Sequence, residues 1–200
     1  MSASQPTSLP RTNSLTAPLT LSFIPVGIAV NLTIGTLAHA MKLPLYLDAI
    51  GTIVSALLLG WRAGVIVGVG SFLLGGVLTN PVLPWFSGTQ AAIAIYVHVV
   101  AQHGGFKSYR RVIAAGLGLG IVAGVVSAPV IAVLFGGVTG SGASVIVAFL
   151  LSSGHSLLKS VFLSGLACEP IDKLVQSLMA FWLIRGLPPR LLKSFKNRSI

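Results

Sequence analysis

The stretch VIAAGLGLGIVAGVVSAPVIAVLF, residues 112–135, decides the fold: its 24 residues carry no charge. A helical bilayer crossing needs about 20 mostly apolar residues, so this run suffices by itself. Working outward, comparable apolar runs fall at Leu21–Met41, Ala49–Gly60, Ala63–Leu78, Thr89–Ala101, Val145–Leu166 and Ile171–Ile184. Proline and glycine gather in the breaks between them, at Lys42–Asp48, Trp61-Arg62, Thr79–Gly88, His103–Arg111, Gly136–Gly142 and Cys168-Glu169-Pro170, as turn chemistry requires. Over all 200 residues 54% are hydrophobic and 8% charged, with a mean hydropathy of +0.93. A water-soluble domain carries about 25% charged side chains, so the solvent for most of this surface is lipid. The reading is an all-α polytopic membrane protein, without length for a nucleotide-hydrolysing motor, a kinase or another large catalytic module.

Charge gives orientation. The 13 basic residues far outnumber the 3 acidic ones. In a membrane protein that excess marks the cytoplasmic side, and nucleic acid is not an expected partner. Arg11, Arg62, Lys107, Arg110, Arg111, Arg185, Arg190, Lys193, Lys196 and Arg198 fit one side when the chain starts inside and crosses at each of the first five runs. The basic tail returns inside only after an odd number of further crossings, so the last two runs cannot both span. Val145–Leu166 is the more polar of them, with Ser152-Ser-Gly-His-Ser156 and Lys159. Six transmembrane helices are therefore expected, with an additional, partly inserted helical segment on the outer side; the alternative is seven spans with the tail outside. The expected divisions are a disordered cytoplasmic tail at 1–19, rich in Ser, Thr and Pro, a six-helix membrane domain at 20–187 and a basic cytoplasmic tail at 188–200.

In this topology the acids Asp48, Glu169 and Asp172 and the bases Lys42, Lys159 and Lys173 all fall on the outer side. Ionisable groups at membrane depth are tolerated where they pair or line a cavity. Two readings stand: structural ion pairs of Glu169 or Asp172 with Lys159 or Lys173, or the wall of an outward-opening ligand pocket. The loops Leu43–Asp48 and Asn80–Gly88 bring Tyr46, Trp85 and Phe86 together with amide, carboxylate and proline. That is the composition of a small-molecule site, and equally of an interfacial aromatic belt. Gln90 and Gln176 lie within spans, where an amide needs a partner helix or a ligand. Gly27, Asn31 and Gly35 repeat every fourth residue, as do Gly60, Gly64 and Gly68, and Gly116, Gly120 and Gly124. Such stripes let helix backbones approach closely, within the chain or against a partner.

No catalytic constellation emerges. There is no nucleophile elbow, no phosphate-binding Gly-rich loop and no HExxH pair among His98, His103 and His155. The single Cys168 has no partner for a disulfide or a metal site. A non-enzymatic role is expected, with neither metal nor cofactor in this chain.

Taken in order, certain segments resemble the S components of energy-coupling factor vitamin transporters. They are Asn31–Gly35, Leu43-Pro-Leu-Tyr-Leu-Asp-Ala-Ile-Gly-Thr52, Gly60-Trp-Arg-Ala-Gly64, Thr79-Asn-Pro81, Phe135–Gly142, Phe162–Gly165, Glu169-Pro-Ile-Asp-Lys173 and Leu187-Pro-Pro-Arg-Leu-Leu192. The resemblance covers roughly residues 20–195. It implies a high-affinity capture subunit for a vitamin or other micronutrient in a bacterial or archaeal cytoplasmic (inner) membrane, both termini cytoplasmic. Its partners would be a transmembrane coupling subunit and two ATPase subunits, which alone would use ATP. The ligand would lie under the loops after the first, third and fifth helices, with Tyr46, Asp48, Asn80, Trp85, Gln90, Glu169, Asp172 and Gln176 as its contacts. The coupling subunit would dock on small residues, here Gly27, Asn31 and Gly35 with Gly64 and Gly68, although the family's alanine pair is not reproduced. A membrane-embedded sensory or scaffolding module that binds a ligand without transporting it is the alternative of another class, and a stand-alone channel a weaker one.

Overall fold

In the computed structural model, which describes residues 18–188 together with Leu192 and Phe195, every regular element is helical. The α-helices are α1 Pro18–Ala40, α2 Ile50–Leu59, α3 Trp61–Leu78, α4 Ser87–Gln102, α5 Tyr109–Phe135, α6 Ala143–Ser152 and α7 Leu157–Arg185. A 3-10 turn, Leu83–Phe86, leads into α4. Three of these helices, α1 from Leu21, α3 and α5, are long and apolar enough to cross a membrane. Large apolar side chains such as Leu37, Val77, Val133, Phe149 and Trp182 point away from the protein, the inverse of a water-soluble surface. Residues 1–17 of the expected N-terminal tail, and most of the C-terminal one, lie outside the described residues.

The helix pair α5–α7 is built on the glycine stripe of α5. Gly116 faces Leu174 and Ser177, Gly120 faces Pro170, and Gly124 lies nearest Glu169 and Gly165. Numbers rise on one helix as they fall on the other, so the pair is antiparallel. A Cβ on Gly120 would overlap the Pro170 backbone; only glycine lets the helices meet there.

That packing corrects one boundary. Cys168-Glu169-Pro170 is not a break, because α7 runs through it for 29 residues. Proline removes one backbone donor from a helix, and here its backbone is seated against Gly120. The turn lies earlier, at 153–156, where Gly154 takes φ +85°. The apolar run Val145–Leu166 is thereby divided between α6 and the start of α7. At 10 residues α6 is about 15 Å long, half of a hydrocarbon core of about 30 Å. It lies back along α7, with Ser164 Oγ donating to the Ala143 carbonyl at 3.1 Å.

A second short helix matters more. α2 also has 10 residues, and the chain enters it through irregular backbone at 43–49. This segment descends beside α1, with Asp48 against Gly35, and the backbones of Gly51 and Gly27 touch so closely that a Cβ on Gly51 would overlap the Gly27 carbonyl. The upper half of this leg of the bundle is therefore not helix.

The basic segments collect at one end. Gly60, in the α2–α3 turn, approaches His98 near the end of α4. Phe106, Val112, Ile184 and Phe195 share one core cluster, and the Phe23 and Phe195 rings meet edge to face at 5.0 Å. The loops 41–49, 79–86 and 136–142 form the opposite end.

Gly120→Ala is expected to cost about 1–3 kcal/mol by overpacking the α5–α7 contact. Gly88→Ala, whose Cβ meets nothing within 4 Å in the first turn of α4, is expected to be neutral or stabilising by up to about 1 kcal/mol. Thermal unfolding of both variants in detergent checks this, and equal effects would contradict the packing described.

Candidate functional site

Irregular backbone inside a helical bundle leaves N–H groups that must find partners. Asp172, fully buried on α7, supplies two of them. Its Oδ1 accepts from the backbone N–H of Tyr46 at 2.9 Å and of Leu47 at 3.0 Å, while Oδ2 accepts from Lys173 Nζ at 2.6 Å and Gln176 Nε2 at 2.7 Å. One turn along, Gln176 Oε1 accepts from Ala49 N–H at 2.8 Å. Asn31 of α1 then serves the buried start of α2, its Oδ1 accepting from Gly51 N–H at 2.7 Å. Ala49 at the N-cap offers no side-chain oxygen, so side chains from other helices do what Ser or Asp does at an ordinary cap. Leu47 is held at φ +52°, a left-handed conformation unfavourable for a residue with a Cβ, and its amide is one of the two on Asp172.

Polar contacts continue sideways. Asn31 Nδ2 donates to Thr52 Oγ1 at 2.9 Å and Ser71 Oγ at 3.2 Å; Thr52 Oγ1 donates to Gln90 Oε1 at 2.8 Å, and Gln90 Nε2 to the Asp48 carbonyl at 3.2 Å. α7 and α4 thus bond directly to the 43–49 segment, and α1 and α3 are joined to it through α2. Lys173 is the charge centre, its Nζ lying 3.5 Å from Asp48 Oδ1, 3.4 Å from Glu169 Oε2 and 2.6 Å from Asp172 Oδ2.

Against this scaffold lies a cavity of two adjoining chambers, about 100 and about 80 Å³. They share His39, Tyr46, Asp48, Phe72, Asn80, Leu83 and Ser141. Phe86, Thr89, Gln90, Glu169 and Lys173 line the second chamber. The Phe86 ring stacks on Phe135 at 5.9 Å, fixing the 79–86 loop against the top of α5. At the same end of the bundle, Lys42 Nζ donates to the Gly140 carbonyl at 3.3 Å.

Of the residues expected to contact a ligand, Tyr46, Asp48, Asn80, Gln90 and Glu169 line this cavity. Trp85 does not: its side chain is 59% exposed and turned outward, the position of a belt residue. Asp172 and Gln176 lie behind the wall, occupied in holding backbone. Gly27, Asn31, Gly35, Gly64 and Gly68, expected to meet a partner subunit, instead face this chain's own residues. Gly27 meets Val67 and Ser55, Gly35 meets Asp48, Gly64 meets Ala56 and Ala94, and Gly68 meets Gln90 and Thr52, while Asn31 is 2% exposed. This stripe is used for internal packing and presents no outward docking face.

Several lining residues were not singled out from sequence. His39 continues the four-residue stripe Asn31–Gly35 by one step, and Phe72 stands four residues beyond Gly68, so helical spacing carried the signal for both. Thr139 and Ser141 belong to the loop Gly136–Ser144 after the fifth helix, which the resemblance placed over the ligand without singling out either residue. Among the described residues no group of three His, Cys, Asp or Glu side chains is arranged to hold a metal ion. Comparison of the chain with protein-family models, curated proteins and solved structures finds no match.

Asp172→Ala is expected to destabilise the fold by about 3–5 kcal/mol, the range for removing one partner of a buried charged network, because two backbone amides and the Lys173 ammonium lose their acceptor together. Equilibrium unfolding in mixed micelles measures it; a loss under about 1 kcal/mol would mean that Asp172 does not hold the segment.

Proposed function

We propose that the chain is the ligand-capture subunit of a micronutrient uptake system in a cytoplasmic membrane, the role its resemblance to the S components implies. The observation that carries this is a preformed cavity at the end of the bundle opposite the basic segments, walled by aromatic rings and a few fixed polar groups. Such walls are the usual make-up of small-molecule sites. Adjoining chambers of this size suit a compound of one or two rings; an engineered cavity of about 150 Å³ takes benzene.

In this reading the chain crosses the bilayer six times, by α1, the 43–49 segment with α2, α3, α4, α5 and α7. α6 is the additional, partly inserted piece on the outer side. Broken elements at membrane depth are tolerated where they are buried in protein or line a cavity, and 43–49 does both. The ends carrying Arg62, Lys107, Arg110, Arg111 and Arg185 are cytoplasmic. In this reading the ligand is held and not transformed. Its passage inward would use energy from a coupling subunit and two ATPase subunits, met on a surface other than the inward-facing glycine stripe. A sensory module would share the cavity; uptake of labelled ligand with and without a coupling module separates the two.

A panel of B vitamins and their precursors tests capture. A true ligand at a hundredfold its Kd is expected to stabilise the folded chain by about 2.7 kcal/mol, read as a rise in the thermal midpoint, and no response from any member of a folded preparation would count against the reading. Sidedness has its own test in a Cys168→Ser background, since the native thiol is buried. A cysteine at Val138, 62% exposed at the cavity end, is expected to react with an impermeant maleimide from outside intact cells, and one at Lys107 only after the cells are opened.

A further inference from the structure

The acids around Lys173 are not equally satisfied. Asp172 takes four hydrogen bonds. Asp48 has Lys173 Nζ at 3.5 Å, and Glu169, 5% exposed, leaves Oε2 without a hydrogen bond, its 3.4 Å approach to Lys173 being an ion pair only. Asp48 and Glu169 both line the second chamber. A single ammonium among three carboxylates leaves a surplus of two negative charges when all are ionised.

A second group in the same wall points the same way. Thr89 Oγ1, on α4, is 8% exposed, lines that chamber and has no hydrogen-bond partner. A buried hydroxyl or carboxylate oxygen left without a partner costs its full desolvation, and surplus buried charge costs more. Lys173 already occupies the point on which the three acids converge, which leaves no space between them for a bare metal ion. What is missing is a donor that arrives from the chamber side. His39 also lines both chambers, while Lys42 lines neither and donates to the Gly140 carbonyl.

We infer that this cavity takes an organic cation: a ring compound whose protonated nitrogen donates to Glu169 and Thr89 beside Asp48, with its ring between Phe72 and Phe86. The inference rests on the capture reading and specifies its substrate class. The ligand supplies the positive charge and the hydrogen-bond donors that the wall lacks, and an isosteric hydroxymethyl or carboxylate compound leaves the surplus charge in place or adds to it.

The test uses the full chain in detergent and two matched sets of probes: benzylamine, benzyl alcohol and benzoate, and pyridoxamine, pyridoxine and 4-pyridoxate. Thermal midpoints are titrated for the wild type, Glu169→Gln, Asp48→Asn and Thr89→Val. The amine of at least one set is expected to stabilise the wild type, and its alcohol and carboxylate counterparts to bind about tenfold more weakly or less, the scale of a lost charge-assisted hydrogen bond. Each carboxylate variant is expected to reduce amine affinity about tenfold or more while leaving the alcohol unchanged. Thr89→Val is expected to weaken the amine without lowering the unliganded midpoint, so the test does not depend on a carboxylate variant that fails to fold. If the alcohol or the carboxylate binds as tightly as the amine, the cation assignment is overturned and capture stands. If no probe of any charge binds, and the vitamin panel is silent too, both are overturned.

Discussion

Asp172 accepting the amides of Tyr46 and Leu47 is the contact on which the rest of the structure depends. The leg of the bundle that ends in α2 is helical only in its lower half, and its upper half is a chain segment whose backbone cannot bond to itself. In water such a segment would be solvated. Within a bundle surrounded by lipid, each unmet N–H would cost several kcal/mol. One carboxylate meets two of them, Gln176 a third and Asn31 the Gly51 amide inside α2. The same Asp172 binds Lys173, and Lys173 draws in Asp48 and Glu169. The charged cluster and the break in the helix are therefore one feature.

The cavity follows from that feature. An unbroken second helix would pack against α1 along its whole length and fill the space that Tyr46 and Asp48 now border. The narrow segment leaves a gap, which Phe72, Leu83 and Phe86 close from the side and the 136–142 turn closes from above. The helices that carry the cluster must also be close and rigid. The α5 glycine stripe provides this by bringing α7 against α5 at Gly116 and Gly120, which fixes where Glu169, Asp172 and Lys173 stand. Small residues thus act at one remove from the site, by positioning the helix that bears its charges.

Much of the architecture was legible in the sequence because lipid imposes simple rules. Uncharged runs of the right length located the helices, and the glycine spacing in residues 112–135 marked a face that packs. The position of the last turn was misread because Pro170 is normally a break signal; its accommodation depends on Gly120, 50 positions earlier, and no local pattern expresses that pairing. Asp48, Glu169 and Asp172 stood out as scarce acids, and whether they would pair or bind was left open. The structure divides them: Asp172 is structural, while Asp48 and Glu169 face the cavity. Trp85 and the Gly27–Gly35 stripe show the converse limit. An aromatic residue in a loop or a small residue on a helix has two faces available to it, and only tertiary packing selects one.

Amide hydrogen exchange resolved to residues 43–51, measured on the full chain in a lipid nanodisc, tests the central claim most directly. If side chains from α7 and α1 hold this irregular segment, the amides of Tyr46, Leu47, Ala49 and Gly51 exchange as slowly as those in the middle of α5, and Asp172→Ala, which removes the acceptor, accelerates the first two most. Exchange of these four amides as fast as that of the exposed turn at 153–156 would contradict the account, because the segment would then be solvated and the cavity would have no fixed wall.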